Sequence, residues 1–153
     1  MTLFAFFDFN DDFVKNNTKV FHKYMNNECF HSNLERLTPS KDTEYLFFSS
    51  KESKGRGDFK HKGKSYSITC MMTVTIKKRF NELWNICTPI SQRKQGYLRD
   101  LLKYYQTEMK RWKNTNPTKL YVDRENDYLL DVYGKLGFEH TKTLRDSYVM
   151  EYH

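Results

Sequence analysis

Between residues 97 and 112 the apolar side chains Leu98, Leu101, Leu102, Tyr105, Met109 and Trp112 recur at spacings of three and four. On a helix these positions form one stripe, and such a stripe must be buried against a partner surface. The chain supplies that surface upstream. Over 65–77, Tyr66, Ile68, Cys70, Met72, Val74 and Ile76 fall at period two, which predicts a long strand with one apolar face. A helical stripe and a sheet face in one short chain restrict the fold to helices layered on a sheet.

The remaining segments extend that arrangement. Residues 3–7 and 45–49 predict strands, and 82–88 predicts another, stopped by Pro89. Asp11 or Asp12 caps a helix running towards Asn26, with Phe13, Val20, Phe21 and Tyr24 on one face. A short helix over 32–37 is ended by Pro39. The glycines and charges of 49–65 predict a mobile loop between two strands. Downstream come a strand at 119–123, a helix at 126–136 closed by Gly137, and a strand pair at 138–141 and 148–152. The order implies an α/β (α+β) fold with a single mixed sheet of about six to seven strands, forming one domain over 1–153.

Composition narrows the function classes. Aromatic residues make up 16% of the chain, enough bulk for one core. No apolar run is long enough to cross a membrane, and the short apolar start lacks the basic residues of a secretory signal. Cys29, Cys70 and Cys87 are odd in number and widely spaced, which argues against a disulfide framework or a zinc site and for a reducing cytosolic or nuclear compartment. The five histidines show no metal-ligand spacing, so no metal is expected. A net charge of +7 favours an anionic partner without choosing among nucleic acid, membrane surface and polyanionic cofactor. Because the basic residues are spread along the sequence and no RNA-binding signature occurs, nucleic acid is not the expected partner, and no membrane partner is expected.

Two segments carry chemistry. In Thr88-Pro89-Ile90-Ser91-Gln92-Arg93-Lys94-Gln95-Gly96-Tyr97-Leu98 a strand passes into a helix, and a helix N-terminus presents unpaired N–H groups to phosphate. Gly96 permits close backbone approach there, with Arg93 and Lys94 adding positive charge. In the second segment Asn126 is followed by Tyr133 and by Gly137-Phe138 at the helix end.

In this order and spacing the two segments resemble the signatures of the GNAT superfamily of acyl-CoA-dependent N-acetyltransferases. The first is Arg or Gln, two residues, Gly, one residue, Gly or Ala, matched by Arg93-Lys94-Gln95-Gly96-Tyr97-Leu98 with Leu98 as the departure. The second is Asn, then Tyr seven positions on, then Gly-Phe. The resemblance covers 82–138. It implies helices on both faces of the sheet and a splayed central pair of parallel strands, with acetyl-CoA as co-substrate in the gap. By similarity the backbone of Ile86, Cys87 and Thr88 pairs with the pantetheine arm. The N–H groups of Arg93, Lys94, Gln95, Gly96, Tyr97 and Leu98 cradle the pyrophosphate, and Asn126 anchors the cofactor. Tyr133 is the implied acid for the departing thiolate. Tyr121 stands where some relatives carry a basic Glu, whereas Glu82, fourteen residues before Gly96, matches the position used by another branch. A water chain ending on Tyr121 or Asn85 is the substitute. The implied acceptor is a primary amine: a polyamine, a protein lysine or N-terminus, or a small amine. The alternative is a catalytically weak or inactive acyl-CoA-binding module, and either would be a monomer or homodimer.

Overall fold

The computed structural model describes residues 2–24 and 43–153; the helix expected over 32–37 lies outside them. The elements are β1 (Thr2–Asp8), α1 (Asp12–Tyr24), β2 (Thr43–Glu52), β3 (Phe59–His61), β4 (Lys64–Ile76), β5 (Asn81–Cys87), α2 (Tyr97–Arg111), β6 (Thr118–Asp123), α3 (Tyr128–Lys135), β7 (Glu139–Thr143) and β8 (Ser147–Tyr152). They form one sheet in the order β1-β2-β4-β5-β6-β8-β7, with β3 hydrogen-bonded to β4. Every pairing is antiparallel except β5 with β6.

The strand beyond the expected six to seven is β3, inside the stretch read as a mobile loop. Its Phe59 is buried and stacks on Tyr66 with ring centroids 5.7 Å apart. The Asp58 carboxylate accepts the Ile68 N–H at 2.9 Å. One aromatic side chain with a place in the core therefore orders a segment that its glycines and lysines alone would leave loose.

Helices cover both faces. On one, α2 and α3 bury Leu101, Leu102, Tyr105, Met109 and Tyr133 against Phe47, Met72, Val74, Leu83, Leu120 and Met150. On the other, α1 places Val14 and Phe21 against Leu46, Phe48, Ile68 and Met71. The cap of α1 is Asp11, whose carboxylate accepts the Phe13 N–H at 2.8 Å. The single apolar face expected for β4 is split between the two cores. Its pairing with β2 slips between Ser49 and Ser50, which face Cys70 and Ile68 and leave Thr69 as an extra residue. A bulge reverses the alternation, so Tyr66 and Ile68 point to the α1 side while Cys70, Met72 and Val74 point to the α2 side.

The end of α3 yields a sharp contrast between two glycines. Gly137 has φ 100 and its added Cβ would lie 2.9 Å from the Tyr152 ring. The Phe138 N–H returns to the Tyr133 carbonyl at 3.1 Å, closing the helix. Gly134, inside the helix, has open space around its missing Cβ. We expect Gly134→Ala to stabilise the fold by about 0.5–1 kcal/mol and Gly137→Ala to destabilise it by about 1–2 kcal/mol or more. Urea denaturation of the two variants checks both signs.

Candidate functional site

The parallel pair joins at one end and opens at the other. Between β5 and β6 the ladder has only the rungs Asn81 with Thr118 and Glu82 with Lys119. Asn81 fastens this closed end: its N–H reaches the Pro117 carbonyl at 2.9 Å, and its side-chain amide exchanges two 3.1 Å hydrogen bonds with that of Asn114. Above these rungs β5 follows β4 and β6 follows β8, and the two strands share no further ladder pairs. A bulge accompanies the divergence. Cys87 faces Met71 and Trp84 faces Thr73, so Asn85 and Ile86 stand opposite Met72 alone. Asn85 takes up the irregularity with φ 51, in the left-handed region that Asn enters more readily than most residues. Bulges of this kind bend a strand and increase its twist.

Thr88 and the following loop lead from the open end of β5 into α2. Lys94 (φ 64) and Gly96 (φ 81) are left-handed. The N–H groups of Gln95, Gly96, Tyr97 and Leu98 have no acceptor among the described residues. They are the orphan donors of a helix start, at the positive end of its dipole. Arg93 ties the loop down by donating from Nε to the Thr88 carbonyl at 3.0 Å. Leu98, the departure from the GNAT signature, is half-buried and packs into the α2 core, so its bulk is absorbed beneath the helix. From β2, the Lys51 Nζ stands 4.9 Å from the Tyr97 ring centroid.

Tyr133, Cys70 and Thr88 are neighbours. The Tyr133 ring is buried edge-on to Phe138, with centroids 5.9 Å apart. Burial, then the neighbouring Cys70 and Tyr128, push its phenol well above the usual range. The Thr88 hydroxyl donates to the Cys70 Sγ at 3.4 Å, so the phenol lies close to the open end of β5. Its hydroxyl has no hydrogen bond among the described residues. Burial also pushes the Cys70 thiol up to about 12 from 9.0, with the Thr88 hydrogen bond opposing.

These shifts set an alkaline limit. A group with a raised pKa contributes its stability fully below the unfolded value and loses it as pH climbs towards the folded value. Stability should therefore hold to about pH 9, then fall by about 1.4 kcal/mol per pH unit as the Cys70 thiol titrates, with the buried phenols steepening the loss above pH 10. Cys70→Ala should flatten the first part of that fall in a pH series of denaturation curves.

Asn126 is exposed in the turn Arg124–Asn126 before α3. Ile86 packs towards the α2 core, while Cys87 is buried on the α1 side. Cys87 is also disulfide-bonded, which corrects the expectation drawn from the odd cysteine count. Glu82 is not at the open end. It lies in the upper closing rung, with its carboxylate 3.6 Å from Lys77 Nζ, roughly 16 Å below Cys87 at the usual strand rise. Tyr121, on β6, is exposed. Two further polar side chains, Asn85 and Thr73, adjoin the bulge. Among the described residues the Asn85 Nδ2 and Thr73 Oγ1 are buried without hydrogen-bond partners beside the bulge, and such atoms call for an explanation. An Asn in the middle of a predicted strand is the only signal the sequence offers.

No protein-family model and no curated protein matches the sequence. Solved structures do match the fold. An acyl-CoA N-acyltransferase from Pseudomonas aeruginosa superposes with a TM-score of 0.67 at 11% identity, covering 100% of both chains. The PaiA N-acetyltransferase of Thermoplasma acidophilum, solved in complex with coenzyme A, gives 0.65 at 16% identity over 99% of this chain and 98% of that one. A mutant of the spermidine N-acetyltransferase from Vibrio cholerae gives 0.68 at 15% identity over 98% and 92%. With its forked parallel pair, its αL-glycine loop and a helix on either side, the chain has the fold of the GNAT acyl-CoA N-acyltransferases.

Proposed function

We propose that the protein transfers an acetyl group from acetyl-CoA to a primary amine by direct attack. The observation that carries this reading is the fork: two strand edges part in mid-sheet, and at their open end a loop holds four N–H groups without acceptors among the described residues. Unpaired main-chain groups inside a sheet are costly unless a ligand takes them up. The pantetheine arm carries amides that suit the edge at Ile86, Cys87 and Thr88. The diphosphate suits the amides of the 93–98 loop, with Arg93, Lys94 and Lys51 supplying charge and Asn126 a further anchor.

In the reaction the amine nitrogen bonds to the thioester carbon and the C–S bond breaks. A main-chain N–H near Ile86 or Cys87 polarises the carbonyl, a contribution of about 3–4 kcal/mol in comparable sites. Tyr133 gives its proton to the departing thiolate. Its raised pKa keeps that proton in place throughout the neutral range. The amine loses a proton along water held by Asn85 and Tyr121, or through a longer water chain to Glu82 at the closed end. The Asn85 amide, unpartnered among the described residues, favours the first route. The pairing of Glu82 with Lys77 also motivates the second reading, an acyl-CoA-binding module with weak turnover.

Thermal unfolding with added acetyl-CoA, followed by CoA thiol release with spermidine, a lysine peptide, peptide N-termini and small amines, tests the assignment. Acetyl-CoA at a hundred times its Kd should stabilise by about 2.7 kcal/mol. Stabilisation without thiol release would leave the binding module, and no stabilisation would remove both readings.

A further inference from the structure

The fold gathers basic residues that the sequence disperses. At the closed end of the fork, opposite the candidate acyl-donor loop, the β4–β5 turn brings Lys77, Lys78 and Arg79 against the end of α2, the loop after it and the start of β6, which carry Lys110, Arg111, Lys113 and Lys119. Hydrogen bonds fix these segments together. The Asn116 Nδ2 donates to the Lys77 carbonyl at 3.2 Å and to that of Lys78 at 3.4 Å, and the Asn81–Asn114 amide pair locks the same junction. Beneath them, Lys77 and Lys119 place their ammonium groups 5.1 and 4.5 Å from the centre of one ring, that of Phe80.

Few acids offset this charge. Glu82 pairs with Lys77 and Glu108 with Arg111, at 3.6 and 3.4 Å. Glu151, opposite Lys119 in the ladder, lies 4.0 Å from His153. Lys78, Arg79, Lys110, Lys113 and Lys119 have no ion pair among the described residues. Like charges held close on fastened backbone repel one another, and a polyanion relieves that repulsion. Among the described residues the exposed large apolar side chains are Tyr121, Tyr128 and Val132, none of them in these segments. Among the described residues this end thus offers no apolar wedge of the kind with which basic surfaces enter a lipid interface.

We propose that this end of the molecule docks on the phosphate backbone of nucleic acid, at a surface separate from the acyl-transfer site. Basic residues that are spread along the chain are gathered by the fold at this end.

The test compares three full-length proteins by fluorescence anisotropy with a short labelled single-stranded RNA, a duplex DNA and phosphatidylserine vesicles over a salt series. They are the wild type, Lys78→Gln/Arg79→Gln/Lys110→Gln/Lys113→Gln, and Lys54→Gln/Lys60→Gln/Lys62→Gln/Lys64→Gln, which removes equal charge from the β3 hairpin. Wild type should bind nucleic acid at micromolar Kd. The first variant should bind at least tenfold more weakly, with the slope of log K against log salt reduced by about two to three on the single strand. The hairpin variant should stay within about threefold of wild type. In the wild type, RNA should shield Lys78, Lys110 and Lys113 from an amine-reactive label, a readout that needs no variant. Equal losses in both variants, no loss in the first, an unshielded label pattern, or binding to vesicles but not to nucleic acid would each overturn the proposal.

Discussion

Tyr133→Phe is expected to lower kcat by about 100- to 10,000-fold, the usual contribution of a positioned general acid, while leaving the Kd for acetyl-CoA near its wild-type value. The substitution removes one oxygen from a ring that is otherwise held in the core by Phe138. That oxygen has no hydrogen bond to lose among the described residues, so stability should change little and a fall in rate can be read as chemistry. Stopped-flow thiol release together with equilibrium binding separates the two. A variant that turns over at the wild-type rate would show that Tyr133 is not the acid and leave a solvent water to protonate the sulfur.

The largest effect on stability should come from Phe47→Ala. Phe47 is fully buried at the middle of an aromatic cluster, stacked on Phe6 at 5.2 Å and edge-on to Tyr104 and Tyr105 at 6.0 and 5.7 Å. Removing its ring leaves a cavity between sheet and helix that rigid neighbours cannot refill, at a cost of about 3–5 kcal/mol. Against a typical total of about 5–15 kcal/mol, that is a large fraction of the whole. Phe47→Leu should cost less, because part of the volume is kept. Guanidinium denaturation at unchanged m-value measures both.

The elements most legible in the sequence were those whose periodicity is set by a single burying surface. The stripe of α2 appeared as expected, with Leu101, Leu102, Tyr105 and Met109 buried and Leu98 and Trp112 at its margins. Gly137 closes α3 as its position predicted. Periodicity failed where the backbone breaks register. The extra residue at Thr69 turned one expected face of β4 into two, and the bulge at Asn85 opened the fork. Neither bulge changes composition, and both depend on what the neighbouring strand does. The same holds for the site. The loop at Arg93 to Leu98 is local and could be read from consecutive residues. The approach of Tyr133 to Cys70 and Thr88, and the ion pair that holds Glu82, join residues far apart in the chain.

The two-rung junction also bears on the order of assembly. Strands β1 to β5 with helices α1 and α2 make one leaf; β6 to β8 with α3 make the other. The chain crosses between them once, through residues 112–117. The strands that pair with one another in the first leaf have all been synthesised by Arg111, so a nascent chain can complete that leaf on the ribosome before β6, α3, β7 and β8 arrive to close the second.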